Sequence, residues 1–141
     1  MVISVYLIAA GLTWVLAQLV KYLFGLMKHG RWSDASTVLH SGNMPSVHTA
    51  TTVALTVMIG LKNGPASGLF ALSLLFTAVV AYDAMGVRRA TGEQGVALRK
   101  LLKPTTKPPY LALGHKPLEV AVGAMIGVVV SLVVAFFTLG F

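Results

Sequence analysis

Four long apolar stretches alternate with shorter polar ones along the chain. The apolar stretches cover residues 2–27, 45–61, 66–82 and 117–141. A helix needs about 20 predominantly apolar residues to cross the hydrocarbon core of a bilayer. We therefore predict an all-α integral membrane protein with four transmembrane helices in a bundle. No internal repeat or linker divides the pattern, so residues 1–141 are expected to form a single membrane domain.

The polar stretches differ in length and charge. We predict a polar loop at residues 28–41 and a tight turn at residues 62–65. We also predict a long basic loop at residues 90–116, between the third and fourth helices, interrupted by Pro104, Pro108 and Pro109. We expect part of this loop to be an interfacial helix on anionic lipid.

Composition narrows the class of protein. Apolar residues make up 56% of the chain and charged residues 11%, and the mean hydropathy is +0.81, which is too apolar for a soluble domain. The chain has no cysteine, so disulfides and thiolate metal sites are excluded. The net charge of +7 comes without a nucleic-acid-binding motif, so we assign it to membrane topology and expect no nucleic-acid partner.

Basic residues are distributed unevenly between the two predicted faces. The loops after the first and third spans share one face, and by the positive-inside rule that face is cytoplasmic, with both termini outside. All four histidines and all four carboxylates fall on the same face of this predicted cell-membrane protein. Nine of the eleven Lys and Arg lie there: Lys28, Arg31, Arg88, Arg89, Arg99, Lys100, Lys103, Lys107 and Lys116.

The polar segment Gly42–Thr49 comes just before the apolar run Ala50–Leu61 and includes the start of the second span. Pro45 suits the first turn of a helix, and Asn43 or Ser46 can cap the free backbone N–H groups. A helix start presents those N–H groups and a partial positive charge to an anion. His48 would lie beside such an anion.

A second histidine motif opens the fourth span. His115 precedes Glu119 by four residues, which is one helical turn. The carboxylate can accept a hydrogen bond from one ring nitrogen and leave the other free as a nucleophile or base. His48 and His115 then become partners across one pocket, where one attacks and the other protonates a leaving group.

Three further features allow two interpretations each. Lys21, inside the first span, either extends its amine to the interface or serves the site. Asp83, at the end of the third span, either closes the helix end by pairing with Arg88 or Arg89 or takes part in function. Gly123 and Gly127 indicate close helix packing, which is more often intramolecular than a homodimer contact.

These motifs together resemble the type 2 phosphatidic acid phosphatase superfamily, which includes vanadium-dependent haloperoxidases. Pro45-Ser46-Val47-His48 is similar to its Pro-Ser-Gly-His motif, and the segment His115–Gly123 is similar to its third motif. The whole chain looks like the small, divergent membrane branch of that superfamily. The resemblance implies His115 as the phosphoryl acceptor, His48 as the acid for the leaving group, and Glu119 as the group that orients the nucleophile.

The sequence also departs from the superfamily pattern. Val47 replaces a glycine, Glu119 replaces an aspartate, and the expected Ser-Arg pair is Pro108-Pro109. Of the superfamily's first motif, this chain has only the basic residues Lys21 and Lys28. An arginine that binds phosphate through two hydrogen bonds is not replaced by proline, so we predict that Arg88 or Arg89 supplies the charge and that Asp83 orients it.

The sequence thus favours a membrane hydrolase that acts on a lipid phosphate or pyrophosphate through a phosphohistidine, without a cofactor or metal. Its catalytic residues would be His115, His48 and Glu119. Its phosphate ligands would be Ser46, Lys21, Lys28, Arg88 and Arg89, with Asp83 in the orienting role. One alternative is a non-catalytic membrane protein that binds or transports a phosphorylated lipid. Another is a divalent-metal site built from His48, His115, Asp83 and Glu119.

Overall fold

The computed structural model describes residues 4–29, 44–102 and 113–140. Within these ranges the chain is all α-helical, which confirms the predicted fold class. There are five helices in the described ranges: α1 Val5–His29, α2 Val47–Asn63, α3 Gly68–Met85, α4 Val87–Leu101 and α5 Pro117–Leu139.

Within the described ranges, three helical runs are long and apolar enough to cross a membrane. They are Val5–Met27, Gly68–Leu101 and Pro117–Leu139. The second run comprises both α3 and α4. Helix α2 has 17 residues, a length of about 25 Å at 1.5 Å per residue. It packs against α1, α3 and α5, so it forms the centre of the bundle.

Helices α2 and α5 lie side by side and run in the same direction. The carbonyl oxygens of Ser46 and Ala50 lie where a Cβ on Gly123 or Gly127 would be placed. One turn further on, the Ser131 hydroxyl donates a hydrogen bond to the Ala54 carbonyl at 2.9 Å. Small residues at four-residue intervals therefore bring the two backbones into contact, and both helices begin at the same end of the bundle.

This packing decides between the two interpretations of the glycines. Gly123 and Gly127 are both buried against α2 of the same chain. Helix α2 therefore covers the surface that a homodimer through these glycines would need. The structure favours the intramolecular interpretation of these two glycines.

Helix α1 runs antiparallel to α2. The Tyr6 hydroxyl donates a hydrogen bond to the Asn63 side chain, so the start of α1 lies beside the end of α2. The buried positions on α1 recur every four residues, at Ala9, Thr13, Ala17 and Lys21. This face therefore carries Lys21 into the bundle near the start of α2.

The start of α2 differs from the sequence expectation. Pro45 precedes the N-cap residue instead of occupying the first turn, and the Met44–Pro45 peptide is cis. Ser46 is the N-cap residue, but its hydroxyl makes no capping bond. It pairs instead with the Thr49 hydroxyl at 2.9 Å. Asn43, the other proposed cap, lies outside the described residues.

The segment predicted as a long loop begins with a helix. Helix α3 continues past Tyr82 to Met85, and α4 follows directly after Gly86. The expected interfacial helix therefore has a counterpart in α4. Residues 103–112, which include the prolines of the predicted loop, lie outside the described residues.

Candidate functional site

Four parts of the chain meet at one end of the bundle. They are the second half of α1, the start of α2, the end of α3 and the segment that leads into α5. The Ser46 N–H donates to the Glu119 carbonyl at 3.0 Å, and the His115 N–H donates to the Ala84 carbonyl at 2.9 Å. These two backbone bonds fix both histidine-bearing segments to neighbouring helices.

His115 and Glu119 form a hydrogen-bonded pair. The Nδ1 atom of His115 lies 3.0 Å from Oε2 of Glu119, and the same oxygen accepts the Lys116 N–H at 3.2 Å. Because a carboxylate accepts hydrogen bonds, the proton of a neutral His115 is assigned to Nδ1. That tautomer leaves the lone pair of Nε2 available to a substrate.

Burial determines the charge state of His115, which is only 4% exposed. Desolvation lowers the pKa of His115 below its usual range, the Glu119 hydrogen bond and charge oppose that change, and the cations Lys21 and Arg88 add to it. The net direction is downward, so the imidazole is neutral near pH 7. A neutral imidazole with a fixed tautomer is suited to nucleophilic attack.

His48 belongs to the same cluster. It is the second residue of α2, and its side chain is exposed. It interacts electrostatically with Arg88, His115, Lys21 and Asp83. The structure therefore brings together the two histidines that the sequence placed in one pocket.

The two candidate arginines have different surroundings. Arg88 forms an ion pair with Asp83, and both side chains are partly exposed. Arg88 also interacts electrostatically with both histidines. Arg89 instead pairs with Glu93 at 3.1 Å on the exposed side of α4. Arg88 is therefore the arginine whose charge acts on the histidine cluster.

Two of the predicted phosphate ligands, Lys21 and Lys28, belong to α1. Lys21 is 7% exposed and interacts electrostatically with Glu119, so its charge lies within the cluster. The Lys28 side chain lies outside the described part of the structure.

Ser46 does not have the placement expected of a phosphate ligand. Its side chain is fully buried, and its hydroxyl is paired with that of Thr49. A bound anion would have to displace this internal bond to reach the hydroxyl. The role of Ser46 as a phosphate ligand therefore stays a prediction, and it requires the hydroxyl to exchange its bond to Thr49 for one to the anion.

An open groove of about 800 Å³ lies beside the histidine cluster. Helix α4 forms one wall, with Arg89, Glu93 and Lys100, and His115 and Glu119 are on the other. We call this the α4 groove. Arg89 was selected from sequence as a phosphate ligand, but Glu93 and Lys100 were not. The helical spacing of apolar residues in 87–101 could have indicated a helix that carries them.

The backbone adds positive potential to the same end of the bundle. Helices α2 and α5 both begin there, and each helix start carries a partial positive charge from its unpaired N–H groups. Lys21 and Arg88 add full charges close to both histidines. The arrangement is suited to an anion, with a neutral imidazole beside it.

The divalent-metal hypothesis finds no support in this cluster. Among the described residues, no group of three or more His, Cys, Asp or Glu side chains is arranged to hold a metal ion. Glu119 is bonded to His115, and Asp83 is paired with Arg88.

Comparisons with known proteins agree with the sequence pattern. A family model described as "Divergent PAP2 family" matches residues 3–130. The uncharacterized membrane protein YuiD of Bacillus subtilis (strain 168) is 36% identical over 122 residues, in an alignment that covers 74% of this chain and 77% of that protein. No solved structure gives a significant match.

Proposed function

Because the chain belongs to the divergent PAP2 family, we propose that it is a membrane phosphatase with a cytoplasm-facing site, which hydrolyses a lipid phosphate or pyrophosphate through a phosphohistidine. The observation that carries this proposal is the 3.0 Å contact between His115 Nδ1 and Glu119 Oε2. It supports a buried, neutral imidazole with one free nitrogen, next to a cluster of positive charge.

The first chemical step transfers the phosphoryl group to the protein. Nε2 of His115 attacks phosphorus, and the bond between phosphorus and the leaving oxygen breaks. His48, in its protonated form, gives its proton to that oxygen. Glu119 stabilises the positive charge that develops on the His115 ring.

The second step regenerates the protein. Neutral His48 removes a proton from water as the water oxygen attacks phosphorus. The bond between phosphorus and Nε2 breaks, inorganic phosphate leaves, and both histidines return to their starting states. The same histidine thus acts as acid in one step and base in the other.

Charge stabilisation comes from groups near the two histidines. Arg88, oriented by Asp83, can bind phosphate oxygens, and Lys21 and the starts of α2 and α5 add positive potential. In this proposal Arg88 takes the role of the arginine that the superfamily pattern places at Pro109, which lies outside the described residues.

Phosphate release from a panel of lipid phosphates and pyrophosphates, by protein purified in detergent, tests the proposal. His115→Ala is expected to abolish both turnover and the covalent phosphoryl-protein. His48→Ala is expected to slow turnover by roughly 10²- to 10⁴-fold, as for loss of a general acid. Substrates with a good leaving group should be affected less, because they need less protonation. Turnover that survives His115→Ala would refute the nucleophile assignment.

A second candidate function uses the same site without turnover. The superfamily's Ser-Arg pair is Pro108-Pro109 in this chain, which favours a protein that binds or transports a phosphorylated lipid. Binding of lipid phosphates by wild-type protein, with no phosphate released and no phosphoryl-protein formed, would support this function over the phosphatase.

A further inference from the structure

Helix α4 has one face that is apolar and exposed. Successive residues of an α-helix are rotated by about 100°, so Val87, Ala90, Leu98 and Leu101 fall on one stripe, with the polar residue Gln94 between them. The exposed fractions are 60% for Val87, 52% for Leu98 and 83% for Leu101. We call these four residues the α4 stripe.

The opposite side of α4 is strongly basic. It carries Arg88, Arg89, Arg99 and Lys100 against a single acidic residue, Glu93. An exposed apolar stripe combined with a basic opposite side is the pattern of a helix that lies in the surface of an anionic bilayer.

The bundle does not cover this stripe. Among the described helices, α4 packs only against α3, which precedes it in the chain. Helix α4 has one further close contact, in which the backbone of Arg89 lies against Gly114, in the segment that leads into α5. This contact holds the first turn of α4 in place. Helix α4 follows α3 directly, and α3 belongs to a run that is long and apolar enough to cross the bilayer.

We propose that α4 lies in the headgroup layer of the bilayer, with the α4 stripe toward the acyl chains and its basic side chains bound to anionic lipid headgroups. The charge of the helix selects this partner, because Arg99 and Lys100 are exposed cations that phosphate-bearing headgroups complement, and the stripe needs an apolar medium. Arg88 and Arg89 are already paired, with Asp83 and Glu93. Since α4 is also one wall of the α4 groove, anionic lipid would hold that wall in place. The proposal is independent of whether the histidine site turns over a substrate.

Site-specific probes can test this directly, because the chain has no cysteine. Leu98→Cys and Ala90→Cys each place one environment-sensitive fluorophore on the stripe. Leu72→Cys, on the exposed side of α3, calibrates a probe inside the bilayer. Each labelled protein is placed in nanodiscs of phosphatidylcholine, alone or mixed with phosphatidylglycerol, and quenching by nitroxide lipids is measured.

Phosphatidylglycerol is expected to shift the emission at positions 90 and 98 to shorter wavelength and to increase lipid quenching. Molar salt should reverse both changes, because it shortens the screening length to about 3 Å. The pair Arg99→Gln and Lys100→Gln should remove most of the response to anionic lipid. Lys62→Gln, which removes a charge at the other end of the bundle, should retain it.

Several results would overturn the proposal. Probes at positions 90 and 98 that report water in both lipids would place the stripe away from the bilayer. Probes that are buried equally in both lipids would refute the headgroup selectivity. Disulfide-linked dimers of the unlabelled Leu98→Cys variant would show that a second copy covers the stripe.

Discussion

The contact between Gly123 and the Ser46 carbonyl gives a sharp test of how the site is built. A Cβ at position 123 would overlap that oxygen, and the obstacle is backbone that cannot rotate away. Gly123→Ala must therefore push α5 away from the start of α2. The shift also strains the bond from the Ser46 N–H to the Glu119 carbonyl, which is 3.0 Å long.

The cost of this substitution follows from three terms. Overpacking a close contact costs about 1–3 kcal/mol, and weakening one backbone hydrogen bond costs up to about 1.5 kcal/mol. Alanine recovers about 0.5–1 kcal/mol through its higher helix propensity. Taking the middle of each range, the net loss is about 2 kcal/mol, or a fall in the unfolding midpoint of about 6 °C at roughly 3 °C per kcal/mol.

Gly11→Ala is the matched control. Gly11 also lies within a helix, but a Cβ there would meet nothing within 4 Å. Thermal unfolding of both variants and the wild-type protein in one detergent measures the difference. Gly11→Ala should match or slightly exceed the wild-type midpoint. A Gly123→Ala midpoint equal to that of Gly11→Ala would refute the close approach of α5 to the start of α2.

The other predictions concern the site and its orientation. Burial lowers the pKa of His115, so on acidification the imidazole is protonated in the unfolded protein before it is protonated in the folded protein. The stabilisation that the buried neutral imidazole contributes should therefore be complete above pH about 6.5 and lost as pH falls through the lowered pKa. Unfolding midpoints measured across pH check this. Arg88→Gln should lower kcat by about 10²-fold, as for loss of one transition-state donor, while Arg89→Gln should have little effect in the same phosphate-release assay; equal effects would contradict the assignment. In intact cells, an impermeant thiol reagent should label Lys62→Cys and leave Lys103→Cys unmodified, and the reverse pattern would invert the topology.

The sequence predicted the fold class and the His115–Glu119 contact because both depend on local periodicity. Long apolar runs determine helices, and a four-residue separation places two side chains on one helix face. The convergence of His48 and His115 was expected from topology, since both segments begin spans on the same predicted face. These features need little knowledge of tertiary packing.

Other features depend on contacts that a local pattern does not contain. The Ser46 hydroxyl has the chemistry of a cap or a phosphate ligand, but it bonds to Thr49. The choice between Arg88 and Arg89 depends on where α4 begins, because adjacent helical residues point about 100° apart. The role of Gly114 depends on the position of the Arg89 backbone, which lies 25 residues earlier in the chain.

The parallel pairing of α2 and α5 has a consequence for how the protein is made. Helix α2 forms the most extensive helix contact in the described structure with α5, and more than fifty residues of chain separate the two. During synthesis, α2 therefore enters the membrane well before its main partner exists. Until α5 is inserted, α2 can pack against α1 and α3, but the face of α2 that contacts α5 has no partner helix. Assembly of the histidine cluster is thus completed only after α5 has left the ribosome.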